Sequence, residues 1–85
     1  MKEFQYTIKD ELGIHARPAG MLAKTAKEYS SEITIVKGDK SASATKLMAL
    51  MGLGVKCGDT ITVRISGNDE ETAEIAMREF FENKL

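Results

Sequence analysis

The sequence is short of cysteine, of histidine and of any long apolar run, and each shortage removes a class of function. One cysteine among 85 residues, Cys57, allows neither an internal disulfide nor a cysteine-rich metal site. One histidine, His15, with Cys57 far along the chain, leaves no ligand set for a metal, and no cofactor is expected. No apolar stretch approaches the ~20 residues needed to cross a bilayer, and the opening MKEFQYTIKD lacks the apolar core of a secretory signal. Charge of one sign is lacking too. Twelve Lys and Arg against 13 Asp and Glu leave a formal net charge of −1, so nucleic acid, which calls for a basic surface, is not an expected partner. The cytoplasm is the expected compartment, without membrane insertion.

What is present is the composition of a folded chain, 42% hydrophobic and 29% charged, too apolar for disorder. Residues 1–85 are expected to form a single domain with one modest core. No repeat, low-complexity tract or linker interrupts them. Phe4, Tyr6 and Ile8 alternate with Gln5 and Thr7, a period of two that predicts a half-buried strand. ARPAGMLAKTAKEY sets Ala19, Leu22, Ala26 and Tyr29 on one helical face and leaves Lys24, Lys27 and Glu28 largely outside it. Ile33 to Val36, the turn Lys37-Gly38-Asp39-Lys40 and a short polar strand predict a hairpin. TKLMALMGLG is a short helix closed by Gly52 or Gly54, and VKCGDT is a turn. In TITVRIS, Ile61, Val63 and Ile65 share the apolar side. Gly67 breaks that strand, and Asn68 or Asp69 is placed to cap a last helix, EETAEIAMREFFENK, with Ala73, Ala76, Met77 and Phe80 inward. The order β-α-β-β-α-β-α in so short a chain predicts an α+β two-layer sandwich, a four-stranded sheet with helices over one face and water on the other.

Chemistry concentrates at Gly13-Ile14-His15-Ala16-Arg17-Pro18, where the first loop meets the first helix. Pro18 falls in the first turn, where a missing N–H costs nothing. With His15 near the N-cap, the amides of Ala16 and Arg17 have no intrahelical acceptor, and with the helix dipole they form an anion site. Arg17 adds a permanent cation whose donors match phosphate. An unperturbed imidazole titrates near pH ~6.5, so much of it is a neutral nucleophile at neutral pH. Its phospho-adduct parts with the group readily, which suits relay rather than storage. A lone histidine is more often a surface or capping residue, but this setting is specific. Hydrolysis is disfavoured because no acidic partner is evident to orient the ring.

The run Leu12 to Ala19, with Ser31-Glu32-Ile33-Thr34, Gly38 to Ala44 and the helix from Leu47 to Gly54, resembles the HPr family over essentially residues 1–85. These are the histidine-containing phosphocarriers of the bacterial phosphoenolpyruvate-dependent sugar phosphotransferase system. The resemblance implies an open-faced sandwich with an antiparallel sheet and three helices. It implies a carrier, not an enzyme in the strict sense, acting as a monomer. His15 would be phosphorylated on Nδ1 by enzyme I and would pass the group to IIA domains of sugar permeases, with Ala16 and Arg17 at the phosphate. The family's docking surface, carried onto this chain, comprises Gly20, Lys24, Lys27, Leu47, Met48 and Met51, with Lys46 and Arg17 in its basic rim. Methionine suits a surface that must fit several partners. Leu50 and Leu53 are expected in the core.

Three positions depart from the family pattern. Many members from low-GC Gram-positive bacteria carry a regulatory serine, the target of HPr kinase, where this chain has Lys46. Leu12 replaces a small polar residue often found beside the histidine loop. Gly20, where alanine is common, is expected to weaken the first helix by up to ~1 kcal/mol. A carrier of the same family serving a nitrogen-related or transcriptional circuit is the alternative function.

Overall fold

The computed structural model describes residues 1–85. In chain order the elements are β1 (Lys2–Thr7), α1 (Ala16–Ala26), β2 (Glu32–Lys37), β3 (Lys40–Ser43), α2 (Leu47–Gly52), β4 (Thr60–Ser66) and α3 (Glu70–Lys84). The four strands form one antiparallel sheet in the order β1-β4-β2-β3. This is the expected order of elements and the expected α+β open-faced architecture. The spatial sequence of strands was not readable from the chain. β4 lies between β1 and β2, with Val63 opposite both Phe4 and Ile35.

Alternation decides the two faces of the sheet. Phe4, Ile33, Ile35, Ile61, Val63 and Ile65 are buried, while Glu3, Gln5, Glu32, Thr60, Arg64 and Ser66 are exposed on the other face. The buried side joins Leu22, Leu50, Met77 and Phe81 of the helices in one hydrophobic cluster. Each such side chain contributes roughly 1.5–3 kcal/mol relative to an exposed one. Leu50 and Leu53 are in that core, as expected.

The helices differ from expectation in two instructive ways. α1 stops at Ala26, so Tyr29 packs against the core from the following turn rather than from the helix. On α3 the buried face is Ala73, Met77, Phe80 and Phe81, with Ala76 only half-buried. Phe81 is the pivot. Its ring lies 6.3 Å from Phe4, 5.6 Å from Tyr6 and 5.9 Å from Phe80, centroid to centroid. A large aromatic one position round the helix outcompetes an alanine for the space over β1, because it removes far more apolar area from water.

Asp69 corrects a third expectation. It occupies the N-cap position of α3, yet its side chain makes no capping bond. Instead its carboxylate accepts the amides of Ser30 and Ser31, both at 2.9 Å, and the Ser31 hydroxyl. It thereby ties the entrance of β2 to the start of α3. Ahead of the helix, Gly67 N–H donates to Glu70 Oε1 at 3.2 Å.

The Ser31 hydroxyl, and then the Ser30 amide, hold the Asp69 carboxyl below its ordinary value of 3.8. A folded-state pKa below the unfolded one means that the stabilisation is present above pH ~3.8 and is lost as pH falls through the folded value. Asp69→Ala should therefore lower the melting temperature at pH 7. It should also flatten the acid limb of the stability curve below pH ~4, as measured by thermal unfolding across pH.

Candidate functional site

The loop between β1 and α1 is fixed by backbone hydrogen bonds from three directions. Ile8 N–H donates to Asp59 O at 2.9 Å and Gly58 N–H to Ile8 O at 2.8 Å, pinning its start to the turn before β4. Lys9 and Asp10 amides both donate to the main-chain oxygen of Leu85, at 2.6 and 2.8 Å, which ties it to the end of α3. Ile14 N–H donates to Val55 O at 3.1 Å. Within the loop, Gly13 N–H donates to Asp10 O at 3.0 Å, and Leu12 N–H to Asp10 Oδ1 at 2.8 Å, an Asx turn.

Gly13 is required at its position for two reasons. Its φ is +68°, and a Cβ built there would lie 2.2 Å from Val55 O. Only glycine lets the backbone lie so close to the Val55 peptide. The next two residues then diverge. Ile14 is buried in the core, and His15 emerges at the N-cap of α1 with extended backbone, φ −99° and ψ −175°. The first bond of the helix at this end runs from Ala19 N–H to His15 O at 3.0 Å. The amides of Ala16 and Arg17 precede it and point outward at the positive end of the dipole.

His15 lies on a shallow depression of about 230 Å3 lined by Asp10, His15, Arg17, Pro18, Met21, Asn83 and Lys84. The expected pair of His15 and Arg17 is thus brought together, with Ala16 between them on the first helical turn. Asp10, Met21, Asn83 and Lys84 were missed. The Asp10 carboxylate stands 3.9 Å from His15 Nε2, so an acidic group does face the ring, contrary to the sequence-based expectation. Its signal was the Asx turn five residues upstream. Asn83 and Lys84 carried no local signal, because only the docking of α3 brings them near.

The other expected residues flank the depression rather than line it. Gly20 is half-buried on α1, and Lys24 and Lys27, at the i+4 and i+7 positions from it, are exposed. Lys46 is the exposed N-cap of α2. Leu47, Met48 and Met51 are exposed, Met48 most of all at 77%, and α2 packs beside α1. No group of three or more His, Cys, Asp or Glu side chains is arranged to hold a metal ion.

An open depression beside an uncovered helix N-terminus, with one imidazole and one arginine, has the features of a surface site for an anionic group. The comparisons make that class specific. The family model described as the PTS HPr component phosphorylation site matches residues 2–83. The phosphocarrier protein HPr of Mycoplasma genitalium is 41% identical over 87 residues, covering 100% of this chain and 99% of that protein. The phosphocarrier protein NPr of Shewanella violacea is 46% identical over 71 residues, 84% of this chain and 78% of the other. The solved structure of HPr from Thermoanaerobacter tengcongensis superposes with a TM-score of 0.93 at 39% identity, covering 99% of this chain and 94% of that one. The chain belongs to the HPr family, the phosphocarriers of the phosphotransferase system.

Two glycines near the site should respond oppositely to alanine. At Gly13 the strained backbone and the clash with Val55 O should cost about 3 kcal/mol. At Gly20 nothing lies within 4 Å of an added Cβ, so Gly20→Ala should stabilise the protein by about 0.5–1 kcal/mol through helix propensity. Urea unfolding of both variants checks the contrast.

Proposed function

We propose that His15 accepts a phosphoryl group from phosphorylated enzyme I and donates it to IIA domains of sugar permeases. The observation that carries this reading is the placement of the imidazole. It stands at the N-terminus of α1, 35% exposed, beside an exposed Arg17 that lines the same depression. A dianion there meets the free amides of Ala16 and Arg17 and the helix dipole, worth up to ~2 kcal/mol, without being buried. The Arg17 guanidinium adds charge-assisted hydrogen bonds to the phosphate oxygens. Exposure keeps the group within reach of the acceptor.

Residues 1–85 act as one unit and as a monomer in the cytoplasm, and they carry the group without turning over a substrate of their own. Partners dock over α1 and α2. Leu47, Met48 and Met51 supply apolar contact, and Lys24, Lys27 and Lys46 steer acidic partners. A second reading is a carrier in a non-sugar circuit, nitrogen-related or transcriptional, prompted by the similarity to a phosphocarrier protein named NPr alongside those named HPr. Purified sugar IIA domains and their counterparts from such a circuit, offered side by side, discriminate the two by which accepts phosphate faster.

Incubation with phosphoenolpyruvate and enzyme I should give an acid-labile adduct that is absent in His15→Ala; no adduct on the wild type refutes the carrier reading. Arg17→Ala should stay folded and transfer about 10- to 100-fold more slowly, the cost of a charge-assisted hydrogen bond. Stopped-flow or quench kinetics measure it.

Serine-directed regulation is absent in this reading. Lys46 stands where the regulatory serine would be, and the nearby hydroxyls of Ser43 and Thr45 are hydrogen-bonded to each other at 2.9 Å. HPr kinase with ATP should leave the chain unmodified by mass spectrometry. Stoichiometric phosphate on Ser43 or Thr45 would show the opposite.

A further inference from the structure

We propose that Asp10 is a positioning residue for the phosphoacceptor: its carboxylate holds the Nε2 side of His15, directs phosphorylation to Nδ1 and balances the positive charge the ring acquires. The inference rests on the reading of His15 as the phosphoacceptor.

Asp10 is held more firmly than a surface aspartate ordinarily is. Its amide donates to the Leu85 main-chain oxygen at 2.8 Å, its own oxygen accepts from Gly13 N–H at 3.0 Å, and its Oδ1 accepts from Leu12 N–H at 2.8 Å. The carboxylate is thus fixed before any phosphate arrives. Its Oδ1 lies 3.9 Å from His15 Nε2, an ion-pair separation rather than a hydrogen bond. The other charged side chains lining the depression are Arg17 and Lys84, both cations. Asp10 is therefore the one negative side chain against the ring.

The two ring nitrogens are thereby made unequal. A phosphoryl group on Nε2 would set a dianion against the fixed carboxylate. On Nδ1 it stands on the opposite edge of the ring, away from Asp10. The electron balance gives the carboxylate a second effect. In the neutral tautomer with the proton on Nε2, the Nδ1 lone pair attacks phosphorus. The donor's P–N bond breaks, and its electron pair leaves with the donor. Nδ1 has no proton to lose, so the phosphorylated ring emerges as an imidazolium with its proton still on Nε2. Positive charge develops during transfer on the edge that faces Asp10. A fixed opposite charge where charge develops stabilises the transition state more than the ground state.

The test separates this from the carrier reading by using a chemical donor. Potassium phosphoramidate phosphorylates imidazole directly, its P–N bond breaking as ammonia leaves. With the wild type, 31P NMR should show mainly the Nδ1 adduct. Asp10→Asn keeps an oxygen for the Leu12 amide and removes the charge. It should raise the ratio of Nε2 to Nδ1 adduct about fivefold, the scale of a solvent-screened ion pair. Asp10→Glu restores the charge without the Asx turn and should return the ratio toward wild type. An unchanged ratio in Asp10→Asn overturns the proposal. So does an Asp10→Glu variant that behaves like Asp10→Asn, because loop geometry would then be the cause. With enzyme I as donor, Asp10→Asn should accept phosphate about fivefold more slowly. If the wild type reacts with phosphoramidate as described but not with enzyme I, the carrier reading fails and the role of Asp10 stands.

Discussion

The contact between the Gly13 backbone and the Val55 peptide sets the geometry of everything around the site. Ile14 N–H reaches Val55 O across it, which seats Ile14 in the core and turns His15 outward one residue later. The chain can make this reversal because Gly13 tolerates a positive φ and has no Cβ to collide with Val55. The exposure of the imidazole is therefore decided by a glycine two residues before it.

Much of this was legible in the chain. Period-two alternation in Phe4–Ile8 and Thr60–Ser66 named the buried faces of β1 and β4. The helix start was marked by Pro18 and by the cluster around His15. Local patterns of this kind are dictated by the backbone itself, and so they survive folding unchanged. The misses share a different origin. Phe81 in the core, Asp69 on Ser30 and Ser31, and Asp10, Asn83 and Lys84 at the site all depend on which elements meet in space. Asp69 shows the conflict most clearly. Local chemistry favoured a helix cap, and two serine amides from a distant turn won the carboxylate instead. The same holds for Asp10, where the Asx turn was local but the approach to His15 was not.

The surface divides its labour by element. The sheet's outer face is polar and partly self-neutralised, with Arg64 paired to Glu3 at 2.9 Å. The helical side carries the exposed Met21, Leu47, Met48 and Met51 together with Lys24 of α1 and Lys27 just after it. On the proposed docking surface, flexible methionines would permit contact with differently shaped partners, and the basic rim would set the approach without fixing a single register. α2 suits this role because six residues cannot bury every side. Leu50 and Leu53 anchor it, and Leu47, Met48 and Met51 stay exposed.

The strand order has a kinetic consequence. β1 pairs only with β4, some fifty residues later, and the hairpin of β2 and β3 is the one pairing made between neighbours in sequence. Topologies of this kind have high contact order, so loop-closure entropy opposes the β1–β4 pairing until late in folding. The loop that presents His15 is moored to Asp59, Val55 and Leu85, all downstream of it. A nascent chain lacking those residues carries the histidine but not its setting. The geometry around His15 is thus assembled only once the C-terminal third of the sequence is in place.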